Sequence, residues 1–484
     1  MNFKAISRHV GLALLVSALF MFLSVVISIM NGLDSALAPL SISFIITFII
    51  GAFPFIFVRK ASSITLNEGY VTIVLSWLLS FLFGMLPYVL WGGPFSAVNA
   101  WFESVSGFTT TGATILDDVE FLPRSLLFWR CSTHFIGGLG VVIFLLLLIP
   151  SSNQMKLRLS TMELSSLSKD GYSSRPNKTI YIFTIVYLVL NLLAFIGYMA
   201  AGMDSFDALC HAFSVCATGG FSTKNLSIAA FDSLPVNIVS MVFMFLASIH
   251  FGMLYVVFVR RTLKPLNNPV LKLYASMLVL GTIIIGVTLK LRNVDDSWGA
   301  SFMDSAFHVL SYASTTGFGL ADNSQWPYFA CIVLMVFGTV CGMAGSTTGG
   351  IKSDRLLVLF KAIRLYIKQV VHPSSVEELR LGRKSLLLND YYPHILYVAM
   401  YFSMILVSVL VCCAMDVDNR NALMATLTCL GNVGPAMGDI GTFGNFGAQP
   451  QMAKFVYTVD MFLGRVEFYP VLAALMMIFP NKKH

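Results

Sequence analysis

Long apolar runs alternate with short polar segments along nearly the whole chain. A helix needs about 20 apolar residues to cross a bilayer, and about ten runs approach that length. They lie near residues 10–30, 38–58, 69–91, 125–150, 179–202, 235–259, 269–290, 326–341, 390–415 and 452–480. The pattern predicts ten spans, and an even number of spans places both termini on the same side of the membrane.

Four amphipathic segments between these runs are too short to cross the membrane. They read AWFESVSGFTTTGAT (100–114), ALCHAFSVCATGGFST (208–223), AFHVLSYASTTGFG (306–319) and ALMATLTCLGNVGPAMG (422–438). Each runs for 11 or 12 residues with helical character to a glycine, and these glycines (Gly112, Gly219, Gly317 and Gly434) recur at intervals of close to a hundred residues.

A fixed internal period indicates a repeated structural unit. The unit here is a span, a short re-entrant helix, a polar loop and a second span. The predicted fold is therefore an all-α integral membrane protein with four pseudo-repeats around one pore, preceded by a two-helix hairpin. The predicted order is the hairpin at 1–66, the first repeat at 67–150, a cytoplasmic linker at 151–178, the second repeat at 179–262, the third at 263–360 with an intramembrane loop at 338–352, a second cytoplasmic linker at 361–388 and the fourth repeat at 389–484.

The composition agrees with a membrane protein, because 57% of the 484 residues are hydrophobic and only 11% are charged, against about 25% charged in soluble domains. Lys and Arg concentrate at the N-terminus and at 59–60, 156–178, 260–272, 352–384 and 482–483. These segments fall on one side of the predicted topology, which the positive-inside rule makes cytoplasmic. The net charge of +7 therefore reflects topology, and we expect no nucleic-acid partner and both termini in the cytoplasm.

Two features of the apolar runs have simple interpretations. The first run follows Lys4 and Arg8 like a signal peptide, but it is too long for one and lacks an A-x-A-like cleavage site, so we interpret it as a retained span. The eight cysteines form no C-x-x-C pair and are interpreted as small packing residues.

The four Gly-Thr segments favour a cation pathway. Irregular backbone inside the hydrocarbon layer is tolerated only where protein buries it or water lines it. Around a shared axis, its carbonyl oxygens can replace the hydration shell of a bare cation. The C-terminal end of each preceding helix adds partial negative charge. Glycine permits positive φ and close approach to the axis.

The alternative is that Gly and Thr only allow close packing of helices, as small residues do in membrane bundles. Four copies at a nearly constant period favour the pore instead. The segment GGLG at Gly137–Gly140 lies inside a span with no short helix before it, so it is interpreted as packing.

The segments SGFTTTGAT, ATGGFST, STTGFG and GNVGPAMG resemble, in this order, the filter segments of the Trk/Ktr/HKT superfamily of potassium transporters. The N-terminal hairpin and the length look most like its bacterial TrkH/TrkG type. The resemblance implies gated potassium uptake across the bacterial inner membrane, a homodimer and a cytosolic TrkA-type regulatory subunit. It implies no cofactor in this chain, potassium as the substrate, and a nucleotide (NAD or ATP/ADP) bound to the partner only.

Carried over residue by residue, the resemblance implies a potassium-binding filter. Its residues would be Thr110, Thr111 and Gly112; Ala217, Thr218 and Gly219; Thr315, Thr316 and Gly317; and Asn432, Val433 and Gly434. The second and fourth segments lack the double threonine, so we expect the ion sites to be asymmetric.

The span near 326 is interrupted by GTVCGMAGSTTGGIKSDR at 338–355. So much glycine and serine predicts an unwound segment beside a cavity. The segment also approaches a phosphate-binding loop, but Ile351 displaces the lysine and no strand precedes it. The resemblance implies instead a gating loop under the filter, whose residues would be Gly342, Gly345, Ser346, Thr347, Thr348, Gly349, Gly350 and Lys352, together with Arg465.

Several ionisable residues lie inside the predicted membrane region. Arg465 is a functional candidate because an intramembrane arginine is costly, although a fixed ion pair with Glu467 would also explain it. Arg130 and His134 lie one helical turn apart, and their roles stay open between packing and function, as does that of His250. Four more, Glu103, Asp207, His211 and His308, could attract cations or could hydrogen-bond the re-entrant helices.

The first functional hypothesis is thus potassium uptake through one gated pore, driven by the membrane potential, with symport of protons or sodium left open. The second keeps the transporter but makes sodium the cargo. The third, a membrane enzyme or receptor, has little support because no H-E-x-x-H or Ser-His-Asp arrangement can be inferred.

Overall fold

The structure is a computed structural model that describes residues 2–58, 65–147, 176–373, 378–381, 384–386 and 388–478. Within these ranges the regular secondary structure is helical except for one small hairpin of two strands, which confirms the all-α prediction. Most of the predicted linker at 151–178 lies outside the described residues. Part of the second predicted linker, 361–388, continues a helix and then forms the hairpin.

The first two helices form an antiparallel N-terminal hairpin, α1 (Phe3–Met30) and α2 (Leu37–Phe57). They cross at Gly11 and Gly51, where a Cβ on Gly11 would lie 2.6 Å from the Gly51 carbonyl oxygen. Small residues of this kind allow membrane helices to approach closely. The outer face of α2, with Ile49 and Phe53, is exposed, as expected of a surface that faces lipid.

The order of the remaining helices is consistent with the four predicted repeats. The first repeat holds α3 (Leu66–Gly84), α4 (Leu86–Trp91), α5 (Ala97–Phe108) and α6 (Arg124–Leu147); the second holds α7 (Pro176–Ala200), α8 (Ser205–Ala217), α9 (Leu234–Ser248) and α10 (Phe251–Phe258); the third holds α11 (Pro269–Leu291), α12 (Trp298–Ala313), α13 (Tyr328–Val340) and α14 (Ser353–Val371); the fourth holds α15 (Leu388–Cys413), α16 (Asn419–Gly431), α17 (Gln451–Val466) and α18 (Phe468–Ile478).

Short elements lie between these helices. They are 3-10 helices at Ser227–Phe231, Lys264–Asn267, Asn323–Gln325 and Gly438–Ile440, and strands β1 (Leu379–Leu381) and β2 (Lys384–Leu386). The strands pair antiparallel with Leu379 opposite Leu386, and their apolar side chains pack against Val358 of α14.

The predicted spans are less regular in the structure than in the sequence pattern. In the described ranges, six helices are long and apolar enough to cross a membrane, or eight if two bent pairs each count as one span. The pair α9 and α10 is bent by 108° and the pair α17 and α18 by 106°. The predicted span at 326–341 is only the 13-residue helix α13. The helix that follows the re-entrant segment is therefore broken in repeats two, three and four.

The re-entrant helices α5, α8, α12 and α16 each begin at a polar cap. The side chains of Ser96, Asp204, Ser297 and Asp418 accept hydrogen bonds from backbone amides of the first turn, which satisfies donors that a helix start leaves free. The last halves of all four helices are buried. One apolar core extends from Ile6 to Ala474, so the hairpin and all four repeats form one packed body.

We expect Gly11→Ala to weaken the N-terminal hairpin, because the added Cβ meets backbone rather than a movable side chain. Overpacking of this kind costs about 1–3 kcal/mol, and unfolding of the purified protein in detergent measures it. Gly299→Ala is the control, since the nearest atom to its Cβ would be 3.8 Å away. Equal stability of the two variants would contradict the close crossing.

Candidate functional site

The four re-entrant helices end in the same backbone conformation. Thr110, Thr218, Thr315 and Asn432 all have φ between 52° and 57°. The amide of the next residue in each segment (Thr111, Gly219, Thr316 and Val433) donates to a carbonyl five residues earlier, at 2.9 Å in all four cases. These shared hydrogen bonds align the four segments residue by residue.

Two residues after each of these positive-φ residues lies a glycine that also has positive φ, from 72° to 90°, at Gly112, Gly220, Gly317 and Gly434. Each packs against a carbonyl of the next segment. A Cβ at these glycines would lie under 3.0 Å from the oxygens of Gly219, Thr316, Val433 and Thr111, in that order. The contacts run from segment one to two, three, four and back to one, so the segments close into a ring around one axis. We call these four residues the ring glycines.

The backbone alignment of the second segment differs by one residue from the predicted set. The prediction used Ala217, Thr218 and Gly219, whereas the structure aligns Thr218, Gly219 and Gly220 with Thr110, Thr111 and Gly112. Ala217 is the last residue of α8. The segment ATGGFST contains two adjacent glycines, so the sequence is compatible with either Gly219 or Gly220 as the residue aligned with Gly112. Only the backbone conformation distinguishes these two alignments.

Position 219 also requires a glycine, but because of a neighbouring side chain and not because of a positive φ. A Cβ there would collide with the imidazole of His134, whose Nε2 accepts a hydrogen bond from the Phe221 amide at 3.2 Å. His134 thus supports the second segment from behind. The glycines predicted to be packing residues also lie here, since Gly137 contacts the Phe108 carbonyl and Gly138 contacts Ala217.

Side-chain oxygens at the inner end of the ring are unequal. In the described part of the chain, Thr110 Oγ1 and Asn432 Oδ1 are buried without a hydrogen-bond partner. Thr315 Oγ1 accepts from the Gly349 amide at 3.1 Å. Asn432 Nδ2 donates to Thr111 Oγ1 at 3.0 Å and to the Met461 carbonyl at 2.8 Å. The fourth segment is therefore tied to the first through a side chain.

Outside the ring lies an open cavity of about 130 Å³ that all four ring glycines line. Its rim is held by side chains from different repeats. Asn445 Nδ2 donates to Asp117 Oδ1, and Asn225 Nδ2 donates to Asp118 Oδ1, both at 2.8 Å. The bond from Asn225 lowers the pKa of the exposed Asp118 carboxyl, so this carboxylate stays ionised at the outer mouth.

The ionisable residues of the re-entrant helices form hydrogen bonds behind the ring. Glu103 pairs with Arg130 at 2.6 Å. His211 Nε2 lies 2.9 Å from Ser222 Oγ, and His308 Nε2 accepts from Leu320 and Ala321 amides at 3.4 Å. Asp207 accepts from Thr223 Oγ1 at 2.7 Å.

An irregular loop, residues 341–352 between α13 and α14, lies directly against the inner end of the ring. Thr347 Oγ1 donates to the Cys216 carbonyl at 3.0 Å, and the Gly349 amide donates to Thr315. A Cβ on Gly349 would lie 2.6 Å from the Gly431 carbonyl oxygen. The loop thus touches segments two, three and four.

The same loop binds the break between α9 and α10. The Met343 amide donates to the Ser248 carbonyl, and the Phe251 amide donates to the Gly345 carbonyl, both at 3.0 Å. A Cβ on Gly342 would also approach Ser248. His250 lies at this break and caps α10 by accepting from the Gly252 amide at 3.0 Å.

Bonds within the loop fix its shape. Ser346 Oγ donates to the Met343 carbonyl at 2.6 Å and lies 2.8 Å from Thr348 Oγ1. Lys352 Nζ donates to the Thr348 carbonyl. Gly350 has a φ of +64° and packs against Cys341.

Arg465 connects this loop to the first repeat. Its guanidinium donates to the Thr347 carbonyl, and also to the Gly137 carbonyl at 3.0 Å. Glu467, suggested by the sequence as a possible partner of Arg465, forms an ion pair with Arg355 at 2.7 Å. The Arg355 guanidinium also lies 3.8 Å from the ring centroid of Tyr397. Sequence reasoning missed Arg355, although it follows the glycine-rich loop directly.

Four re-entrant segments that close around one axis, with an irregular loop beneath them, are typical of a membrane transport protein. Residues 39–484 match the TrkH family, described as cation transport proteins, and the chain belongs to this family. It is a transport protein and not an enzyme.

Relatives match over nearly the whole chain. The Trk system potassium uptake protein TrkH of Halomonas elongata is 31% identical and covers 100% of both chains. TrkH of Escherichia coli K12 is 30% identical over 98% of each chain, and TrkG of that strain is 32% identical over 91% of each. The crystal structure of the potassium transporter TrkH from Vibrio parahaemolyticus has a TM-score of 0.88 at 27% identity, covering 99% of both chains.

Substitution of Gly219 and Gly220 should distinguish the contact with His134 from the contact within the ring. Gly220→Ala should abolish cation flux, because it places a Cβ against the Thr316 carbonyl at a positive φ. Gly219→Ala should also impair flux, but adding His134→Ala should restore part of it by removing the ring that the new Cβ meets.

Cation flux in proteoliposomes measures both pairs of variants, and Gly220→Ala with His134→Ala is the matched control. Equal rescue of both glycine variants by His134→Ala would contradict the alignment.

Proposed function

We propose that this protein takes up potassium through a single gated pore in each subunit, with a filter made by the four ring segments. The observation that carries the proposal is the closed set of contacts between each ring glycine and the neighbouring carbonyl. Such contacts bring backbone oxygens of four segments to one axis, where they can replace the water of a bare cation. The full-length relatives named as potassium uptake proteins support potassium as the cargo.

The filter in this proposal consists of Thr110, Thr111 and Gly112; Thr218, Gly219 and Gly220; Thr315, Thr316 and Gly317; and Asn432, Val433 and Gly434. The membrane potential is a sufficient driving force. About 2.3 kcal/mol per 100 mV exceeds the 1.4 kcal/mol of a tenfold gradient. Symport with protons or sodium is therefore not required for accumulation.

The loop at 341–352 is the proposed gate. It lies against three of the four segments, is bound from outside by Arg465 and is braced internally by Lys352. Conduction then requires the loop to move, and its four glycines (Gly342, Gly345, Gly349 and Gly350) permit the change in backbone angles that a hinge needs. The positive charge of Arg465 under the filter adds an electrostatic barrier to cations.

We further propose the assembly that the family resemblance implies. The protein would act in the bacterial inner membrane with both termini in the cytoplasm, as a homodimer bound to a cytosolic TrkA-type subunit that carries the nucleotide. The basic segments 156–178 and 352–384 are the proposed docking sequences for such a subunit.

Purified protein in liposomes should conduct potassium, and Gly112→Ala or Gly317→Ala should abolish this flux, because each added Cβ displaces the neighbouring carbonyl. Gly299→Ala is the control outside the ring. Competition by sodium in the same assay tests the second candidate, a sodium-permeable transporter: a flux that sodium carries equally well would favour it, and no cation flux at all would refute both.

Arg465→Ala should raise basal potassium flux, since it removes both the bond to the Thr347 carbonyl and the charge beneath the filter. Potassium uptake at matched protein density measures the change in basal flux. Arg292→Ala is the control, because Arg292 is exposed. Uptake unchanged from wild type in Arg465→Ala would argue against its role in the gate.

A further inference from the structure

The first and second segments of the ring are joined by a buried pair of full charges. Arg130 of α6 contacts Glu103 of α5 with 2.6 Å between Nε and Oε1, and their side chains are 2% and 0% exposed. A buried charge without its partner is strongly unfavourable. Each residue therefore holds the other in place.

Glu103 reaches the backbone that leaves the first segment. Its carboxylate accepts from Thr114 Oγ1 at 3.0 Å and from the Ile115 amide at 3.1 Å. These residues lie two and three positions beyond the ring glycine Gly112. The carboxylate thus anchors the first segment immediately outside the ring.

Arg130 contacts the second segment immediately after its ring glycine, as Glu103 contacts the first segment just beyond Gly112. Its Nη1 donates to the Ser222 carbonyl at 3.1 Å, and its Cζ lies 3.4 Å from the ring centroid of Phe221. Both residues directly follow the ring glycine Gly220. Arg130 also lines the outer cavity, so its charge lies beside the ion path and Glu103 neutralises it there.

The corresponding positions in the other repeats are neutral or hold histidine. The alignment of the four segments places His211, His308 and Ala425 where the first segment has Glu103. In the described residues, the junction of segments two and three includes a bond from the Gly319 amide to Ser227 Oγ at 3.2 Å. The junction of three and four includes a bond from Tyr312 Oη to the Ala436 carbonyl at 3.0 Å. The charged bridge is a feature of the first junction.

We propose that Glu103 and Arg130 are positioning residues that set the ion selectivity of the filter. The bridge fixes the spacing between the first and second segments, and this spacing determines how closely their oxygens can contract around a smaller cation. It also keeps the charge of Arg130 from repelling cations at the outer cavity. This inference rests on the proposed potassium filter.

Fixing the spacing of the two segments and neutralising the charge of Arg130 predict different effects on cation flux. Arg130→Gln should lower the ratio of potassium to sodium flux about tenfold, which corresponds to 1.4 kcal/mol, because the contacts to Ser222 and Phe221 are lost. Glu103→Gln should mainly reduce the rate for both ions, since the arginine charge is then uncompensated. The double variant should recover the rate but not the selectivity.

Arg130→Lys keeps the charge and tests the geometry alone. A lysine cannot keep the planar contact over Phe221 while pairing with Glu103 and Ser222. We expect an unchanged thermal midpoint in detergent with a lowered flux ratio, a combination that a merely structural role would not produce. Arg124→Gln is the matched control on the same helix, since Arg124 is exposed and its guanidinium lies 5.5 Å from the Phe206 ring centroid.

Potassium and sodium fluxes of the six proteins, wild type included, are measured in proteoliposomes at matched density. A wild-type flux ratio in both Arg130→Gln and Arg130→Lys would overturn the inference while leaving the proposed function intact. Absence of potassium flux in the wild type would instead refute the proposed function itself. If Arg130→Gln does not fold, the ratio of potassium to sodium flux in Arg130→Lys alone tests the inference.

Discussion

Irregular backbone at the centre of a membrane must be enclosed by protein or lie along water, and most of this structure follows from that constraint. Four helices end inside the fold, and each leaves an extended segment with polar groups that need partners. Every ring glycine packs against the carbonyl of the next segment, and four equivalent amides bond back to their own helices. Because the contacts form a closed cycle, each segment packs against two neighbours. The repeat is therefore a physical requirement of the fold as well as a pattern in the sequence.

The helices that follow the re-entrant segments are interrupted close to the ring and the loop 341–352. In repeats two, three and four they break, at His250, at the loop 341–352 and at Glu467. The loop binds the break of repeat two through Ser248 and Phe251, while Arg355 joins its end to Glu467 at the break of repeat four. The unbroken α6 of the first repeat contributes Arg130, His134 and the Gly137 carbonyl, which accepts a hydrogen bond from Arg465. The loop thus connects the breaks of repeats two and four beneath the ring.

Much of this arrangement could be predicted from the sequence, because a membrane imposes length and periodicity on apolar runs. The class, the four re-entrant segments and the position of the glycine-rich interruption all followed from composition and spacing. The failures have specific causes. Gly219 and Gly220 are chemically identical, so only φ distinguishes them. The bends at 249–250 and 467 fall inside the apolar runs 235–259 and 452–480, which the sequence pattern predicts as single spans. The partners of Arg130, Arg355 and Glu467 lie 27 to 112 residues away along the chain, and no local pattern encodes such pairings.

The central claim is that the four segments form one cation filter, and ion density at the ring tests it most directly. Crystals of the protein grown with rubidium, a heavier substitute for potassium, should give anomalous difference density on the axis, within bonding distance of oxygens from all four segments. The carbonyls of Thr111, Gly219, Thr316 and Val433 would be among these ligands. Density that contacts only one or two segments, or none at the ring in a structure that otherwise matches this one, would contradict the account.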